Sequence, residues 1–184
     1  VNITENDIKN KYLANRVPIK RKQIDSENKI GLINGLWANT LGNGGILHIE
    51  CNFFPSKTFM ELKLTGMQGD VMKESMNVAK SLAWDLLTTG EKNTLISNLC
   101  NNEGLHIHLP EGSTPKDGPS AGAAITIAIY SLLTKRKIKN TYAITGEICL
   151  QGNITEIGGL ELKLLGGIKS GISTFIYPRA NEKD

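Results

Sequence analysis

The chain has 184 residues, 40% of them hydrophobic and 21% charged, and a formal net charge of +3. That length and balance suit one soluble domain with a substantial core. They come without repeats or low-complexity tracts, and no signal peptide is visible in these residues. A membrane span is excluded too, because the longest apolar run, residues 121–133, is too short and is interrupted by Thr126, Tyr130 and Ser131.

From the N-terminus, residues 4–13 predict a short helix capped by Thr4, with Glu5 and Asp7 in its first turn. Lys9, Lys11, Arg16, Lys20, Arg21 and Lys22 concentrate the positive charge in this part. Such a run reads as a solvated linker, and nucleic-acid binding requires more. Strands fit residues 29–37, 46–53 and 58–64, with Gly42-Asn43-Gly44-Gly45 as the hairpin turn between the first two. Residues 70–87 predict one long helix, whose Val71, Met72, Met76, Val78, Ala79, Leu82, Ala83 and Leu86 form a broad apolar face of core residues. Leu105-His106-Ile107-His108-Leu109 alternates strictly, sending both histidines to one face of a strand and the aliphatic residues to the other. Two histidines on one face can bind a metal, but no third ligand cluster accompanies them. A polar face on a half-buried strand explains them equally. A helix opening at Ser120, strands over 142–145 and 149–154, a helix around Lys163 and a strand over 174–177 complete an α+β order.

Two segments carry the chemistry. In Pro115-Lys116-Asp117-Gly118-Pro119-Ser120-Ala121-Gly122-Ala123 a serine stands at the mouth of an apolar helix. Pro119 suits a first helical position and Gly118 frees the turn before it. Ser120 therefore sits where unpaired backbone N–H groups converge, either as a plain N-cap or beside donors able to hold an oxyanion. Asp117 suits the stabilisation of a helix N-terminus. In Ile157-Gly158-Gly159-Leu160-Glu161-Leu162-Lys163-Leu164-Leu165 a lone cation is bracketed by leucines. Lys163 either projects to solvent or is buried, and burial disfavours the ammonium and lowers its pKa. A neutral lysine can take the proton of a serine hydroxyl, and no Asp-His pairing is evident to do so instead.

The string Leu109 through Gly122 resembles the nucleophile segment of the Lon proteases, and Ile157 through Lys163 resembles their catalytic-lysine segment. The separation of 43 positions from Ser120 to Lys163 matches that family's spacing. The resemblance implies the Lon protease domain fold, an α+β arrangement of mixed sheets and packed helices, with Ser120 as nucleophile and Lys163 as base. In Tyr142-Ala143-Ile144-Thr145-Gly146-Glu147 it implies that Thr145 orients the lysine. It implies that His108 and His106 line the cleft and that Glu50 and Trp37 lie on the substrate side. Here the chain departs from the family, reading Gly35-Leu36-Trp37-Ala38 where Ala more often precedes Trp. The aspartate matching Asp117 belongs, in some relatives, to a turn that blocks the site at rest.

The resemblance further implies a serine endopeptidase that degrades unfolded or damaged proteins as part of a homo-hexameric chamber beneath an ATPase ring. ATP and Mg are expected for that attached module, since this chain has no Gly-x-x-x-x-Gly-Lys-Ser/Thr loop; no cofactor or metal is expected in the domain itself. Ile3 through Leu13 resembles the end of the ATPase module's small helical subdomain. Residues 1–28 thus read as that end plus a linker, and 29–184 as the proteolytic domain, whose usual further strand and helix are missing after Tyr177-Pro178-Arg179. DNA binding is a family property that the basic segment does not itself support. Cys51, Cys100 and Cys149 are odd in number and lack metal spacing, so reduced thiols in a cytoplasmic or organellar-matrix compartment are expected. The alternatives are an ATP-independent Lon-like processing peptidase and a non-catalytic Lon-like ring scaffold.

Overall fold

A computed structural model describes residues 2–15, 21–99, 102–110 and 116–184. Its centre is a six-stranded mixed sheet built from β1 (Leu32–Ala38), β2 (Gly44–Pro55), β3 (Leu62–Thr65), β4 (Glu103–His108), β5 (Tyr142–Ile144) and β8 (Thr174–Ile176), in the order β3-β4-β2-β1-β5-β8. A separate two-stranded ribbon pairs β6 (Glu147–Ile148) with β7 (Ile154–Thr155). Between them run α1 (Glu5–Asp7), α2 (Asp70–Asp85), α3 (Thr89–Leu99), α4 (Gly122–Thr134) and α5 (Leu160–Lys169).

Alternation along the strands sorts the helices onto two faces. Leu47, Ile49 and Cys51 of β2 and Leu105 and Ile107 of β4 enter one large core with Met72, Met76 and Ala79 of α2 and Ile125, Ala128 and Ile129 of α4. Helix α4 is apolar all round because it is covered all round; ten of its residues are buried. The opposite face carries a smaller cluster of Leu36, Ile46, Ala143 and Ile172, with Ile24 and Phe175 packed against it. Helix α5 lies against the β1–β2 hairpin on this side, its Gly167 facing Phe175 and Leu36.

The β1–β2 connection differs from the sequence expectation in an informative way. The turn is Asn39 to Asn43, where the Asn39 side chain accepts bonds from Leu41 N and Asn43 N at 3.1 and 3.0 Å. Gly44 and Gly45, expected in the turn, instead begin β2. Gly44 is required there by contact: a Cβ on it would stand 2.0 Å from the Leu162 carbonyl oxygen, and one on Gly166 would stand 2.1 Å from the Gly44 carbonyl carbon. Helix and strand backbones touch directly.

Other boundaries move for local reasons. The N-terminal helix is a single α turn, closed by a Thr4–Asp7 capping box, that continues as a π-helix over Ile8–Tyr12. Residues 58–61 form a turn ahead of β3, with Glu61 N bonded to Thr58 O. The strand expected over 149–154 is a reversal, closed by Cys149 N to Asn153 O at 3.2 Å. Helix α3 was not anticipated. Its signal is nonetheless legible in Thr88-x-x-Glu91, a capping box in which Thr88 N and Oγ1 both donate to Glu91 Oε2.

Gly44→Ala tests the backbone contact. The added methyl group has nowhere to go but against the α5 main chain, so destabilisation of about 1–3 kcal/mol is expected in urea denaturation. A variant as stable as the parent would show that α5 does not depend on this approach.

Candidate active site

Ser120 occupies the middle of a 3₁₀ turn, Pro119–Ala121, that feeds α4. Gly118 ahead of it has φ +107°, a conformation that L side chains rarely adopt. The serine carbonyl accepts two bonds, from Gly146 N at 2.8 Å and from Thr145 Oγ1 at 3.2 Å. Ala123 N returns a bond to Gly146 O at 3.0 Å. The end of β5 is thus stitched to the serine turn.

Lys163 lies in the first turn of α5 and is 4% exposed. Its Nζ is 3.1 Å from Ser120 Oγ and 3.5 Å from Thr145 Oγ1. Burial pushes its pKa below the usual lysine value of 10.5. Thr145 is itself 1% exposed, and because its hydroxyl proton goes to the Ser120 carbonyl, its oxygen meets the lysine as an acceptor. The three side chains form one connected set.

A cavity of about 440 Å³ opens onto this set, walled by Trp37, Leu47, Met72 and Asp117 among others. The Trp37 ring lies across Gly45 of the neighbouring strand, and its Nε1 donates to Ile46 O at 3.2 Å. Asp117 does cap a helix, though not the one that follows it in sequence. Its Oδ1 accepts from Met72 N at 3.0 Å, in the first turn of α2, and from Gly118 N at 2.9 Å.

His106, His108 and Glu50 are elsewhere. Leu105, Ile107 and Leu109 of their stretch enter the core that holds α4. Both histidines therefore point to the sheet's other face, and Glu50 stands opposite His108 in register. None of the three lines the cavity. Thr65 Oγ1 bridges the imidazoles, 2.9 Å from His106 Nε2 and 2.7 Å from His108 Nδ1. One hydroxyl supplies one proton, so at most one ring accepts and at least one donates to it. Burial, with Lys63 and His108 adding to it, holds the His106 pKa below the ordinary histidine value. Among the described residues no group of three or more His, Cys, Asp or Glu is placed to hold a metal ion.

One residue gave no sequence signal. Asn181, 5% exposed, accepts from Ile157 N at 3.0 Å and donates to Ile157 O at 2.8 Å, fixing the approach to α5. It sits in no motif and next to no periodic segment.

Over residues 2–184 the chain matches the sequence profile of the Lon protease (S16) C-terminal proteolytic domain. It belongs to that family. All of the chain is 42% identical to a Lon protease of Helicobacter pylori and 38% identical to Lon protease 1 of Bacillus subtilis. A Lon protease of Clostridium acetobutylicum is 40% identical over 95% of it. The chain spans about a quarter of the length of these relatives, 22 to 23%. Within this Lon proteolytic domain the described cysteines Cys51 and Cys149 are free, and burial pushes the Cys51 thiol up to about 12. Among the described residues no helix is long and apolar enough to cross a membrane.

Burying Lys163 has a sign that can be read in stability. Its folded pKa is depressed, so between that value and 10.5 the unfolded chain binds the extra proton and the folded state gains stability as pH rises. Lys163→Met is therefore expected to be more stable than the parent at neutral pH, with the difference shrinking as pH approaches 10.5. Urea denaturation of both proteins across that range checks it; a difference independent of pH would place the lysine in water.

Proposed function

We propose that this chain is the peptidase part of an ATP-dependent Lon, an endopeptidase that cleaves unfolded or damaged protein chains with Ser120 and Lys163. The observation that carries the reading is the 3.1 Å approach of a buried lysine nitrogen to the serine oxygen. A hydroxyl at its own pKa is a poor nucleophile, and burial lowers the lysine pKa and so favours the neutral amine that can take the hydroxyl proton.

Neutral Nζ accepts the Ser120 hydroxyl proton as Oγ bonds to the scissile carbonyl carbon. The resulting oxyanion is assigned to backbone N–H groups at this helix start, that of Ser120 among them. Gly122 N is committed to Pro119 O and Ala123 N to Gly146 O. The ammonium then gives its proton to the departing amine nitrogen as the C–N bond breaks, leaving an ester on Ser120. Water, deprotonated by the same amine, attacks that ester, and the ammonium returns the proton to Ser120 Oγ as the ester C–O bond breaks and the carboxylic acid product leaves, to ionise in water. Thr145 accepts an N–H from Lys163 and fixes the rotation of its terminal group, so that the lone pair faces the serine. Asp117 holds the serine turn to α2. His106, His108 and Glu50 act on the other side of the sheet, as supports of β2 and β4.

The wider reading rests on the relatives' length. ATP and Mg²⁺ serve an attached ATPase module, substrates reach Ser120 as unfolded chains, and the domains assemble as a homo-hexamer under that ring in a reducing compartment such as the cytoplasm. Residues 1–28 are the end of that module and its linker, and 29–184 the proteolytic domain. The non-catalytic scaffold is disfavoured by the serine–lysine distance, which a scaffold has no need to maintain.

Hydrolysis of a fluorogenic peptide should fall at least roughly a thousandfold in Ser120→Ala and in Lys163→Ala. In the parent, kcat/KM should rise through an apparent pKa below that of free lysine, because the base must shed its proton. Retained activity in Lys163→Ala would refute the mechanism.

A further inference from the structure

The last carbonyls of a helix have no donors within it. In α5 most are closed by the turn that follows: Ser170 Oγ bonds Gly166 O at 3.0 Å, Ser170 N and Ile172 N bond Gly167 O at 3.0 and 3.1 Å, and Gly171 N bonds Ile168 O at 3.1 Å. The next two are closed from far away in sequence. Gln23 Nε2 donates to Lys169 O at 3.4 Å across 146 residues, and Ile24 N donates to Ser170 O at 3.1 Å. The Ile24 side chain packs on the cluster of Leu36, Ile46, Ala143 and Ile172, against Gly171, with its Cδ1 3.3 Å from the place of a Cβ there.

We propose that Gln23 and Ile24 are positioning residues for Lys163, a strap that fastens the far end of α5 and so holds the lysine against Ser120. Lys163 lies six residues before Lys169, about 9 Å along the axis. A helix of ten residues turns as one body about its contacts. Near its middle α5 rests on Gly44 through Leu162 and Gly166, and Asn181 fixes the turn before it. The contact at Gly44 includes Lys163 N itself, 3.2 Å from the place of a Cβ on Gly44, so with the strap released the helix lifts from Gly44 and Lys163 moves with it. A displacement of about 1 Å in a reacting group costs up to about a hundredfold in rate. The chain before residue 23 therefore has a path to the base of the reaction that never touches substrate.

This rests on the serine–lysine reading, and the test separates the two. In the full 184-residue chain, Lys163 is titrated by NMR with ¹³Cε-labelled lysine, its signal identified by its loss in Lys163→Arg, alongside peptide hydrolysis. In Ile24→Ala the lysine gains water. Its pKa should move up toward the ordinary lysine value, and kcat should fall about tenfold with KM unchanged within about twofold. Gln23→Ala, altered at an exposed side chain, should shift the titration the same way by less and carries the test if Ile24→Ala does not fold. Ile24→Val should restore both readings. Leu95→Ala, which loosens the other core, should lower the denaturation midpoint and leave the titration where it was. A Lys163 that titrates in Ile24→Ala and Gln23→Ala as it does in the parent overturns the strap, whereas activity surviving in Lys163→Ala would overturn the dyad.

Discussion

Lys163 reaches Ser120 because one helix backbone is pressed against one strand backbone. At Gly44 and Gly166 no side chain separates α5 from β2, and either Cβ would overlap main-chain atoms of the other element. That approach brings the first turn of α5 to the end of the hairpin, where a lysine side chain is shut away from water. Burial then lowers its pKa, so the packing of two glycines favours the neutral form of this lysine. The same burial lowers stability, since a cation in that place is disfavoured. Such local cost is characteristic of sites where chemistry, not packing, chose the residue.

The serine half is built from other parts. Gly118 and Pro119 shape the turn, Gly146 and Thr145 hold its carbonyl, and Asp117 ties it to the first turn of α2. Thr145 is the only one of these side chains that also meets the lysine. Its proton is committed to Ser120 O, so it cannot compete for the lysine lone pair and can only receive an N–H. One buried hydroxyl therefore meets both the serine turn and the lysine.

The pattern of apolar residues made the large core legible. Periodicity along α2, the all-round apolar run of α4 and alternation in the Leu105 strand assign most of the residues that are buried together, whereas Val71 and Leu86, expected on the α2 core face, are 47% and 52% exposed at its two ends. The serine and lysine segments were legible as motifs, but their meeting was not, because it depends on a contact between Gly44 and Gly166 that neither motif contains. Glycine has no side chain with which to announce a packing role, and Gly44-Gly45 beside Asn43 reads more naturally as a turn. Asp117 was legible as a helix cap but not as a cap for α2, since proximity in sequence favoured α4. The histidines show the limit of inference from resemblance. Alternation alone sends them away from the face that packs on α4, and there they share a threonine.

The two halves of the site are anchored unequally, and this decides which of them can move. The serine turn leads into α4, buried on every side in the larger core. The lysine helix rests on a cluster of four buried residues and is held at its ends by groups distant in sequence, Asn181 on one side and Gln23 with Ile24 on the other. Displacing Ser120 means disturbing α4 and the strands beneath it; displacing Lys163 means loosening the backbone contact at Gly44, a few hydrogen bonds and one isoleucine. Any change in the serine–lysine distance therefore comes from the lysine side. The segment nearest to hand is the strap, which joins the end of α5 to the chain ahead of β1.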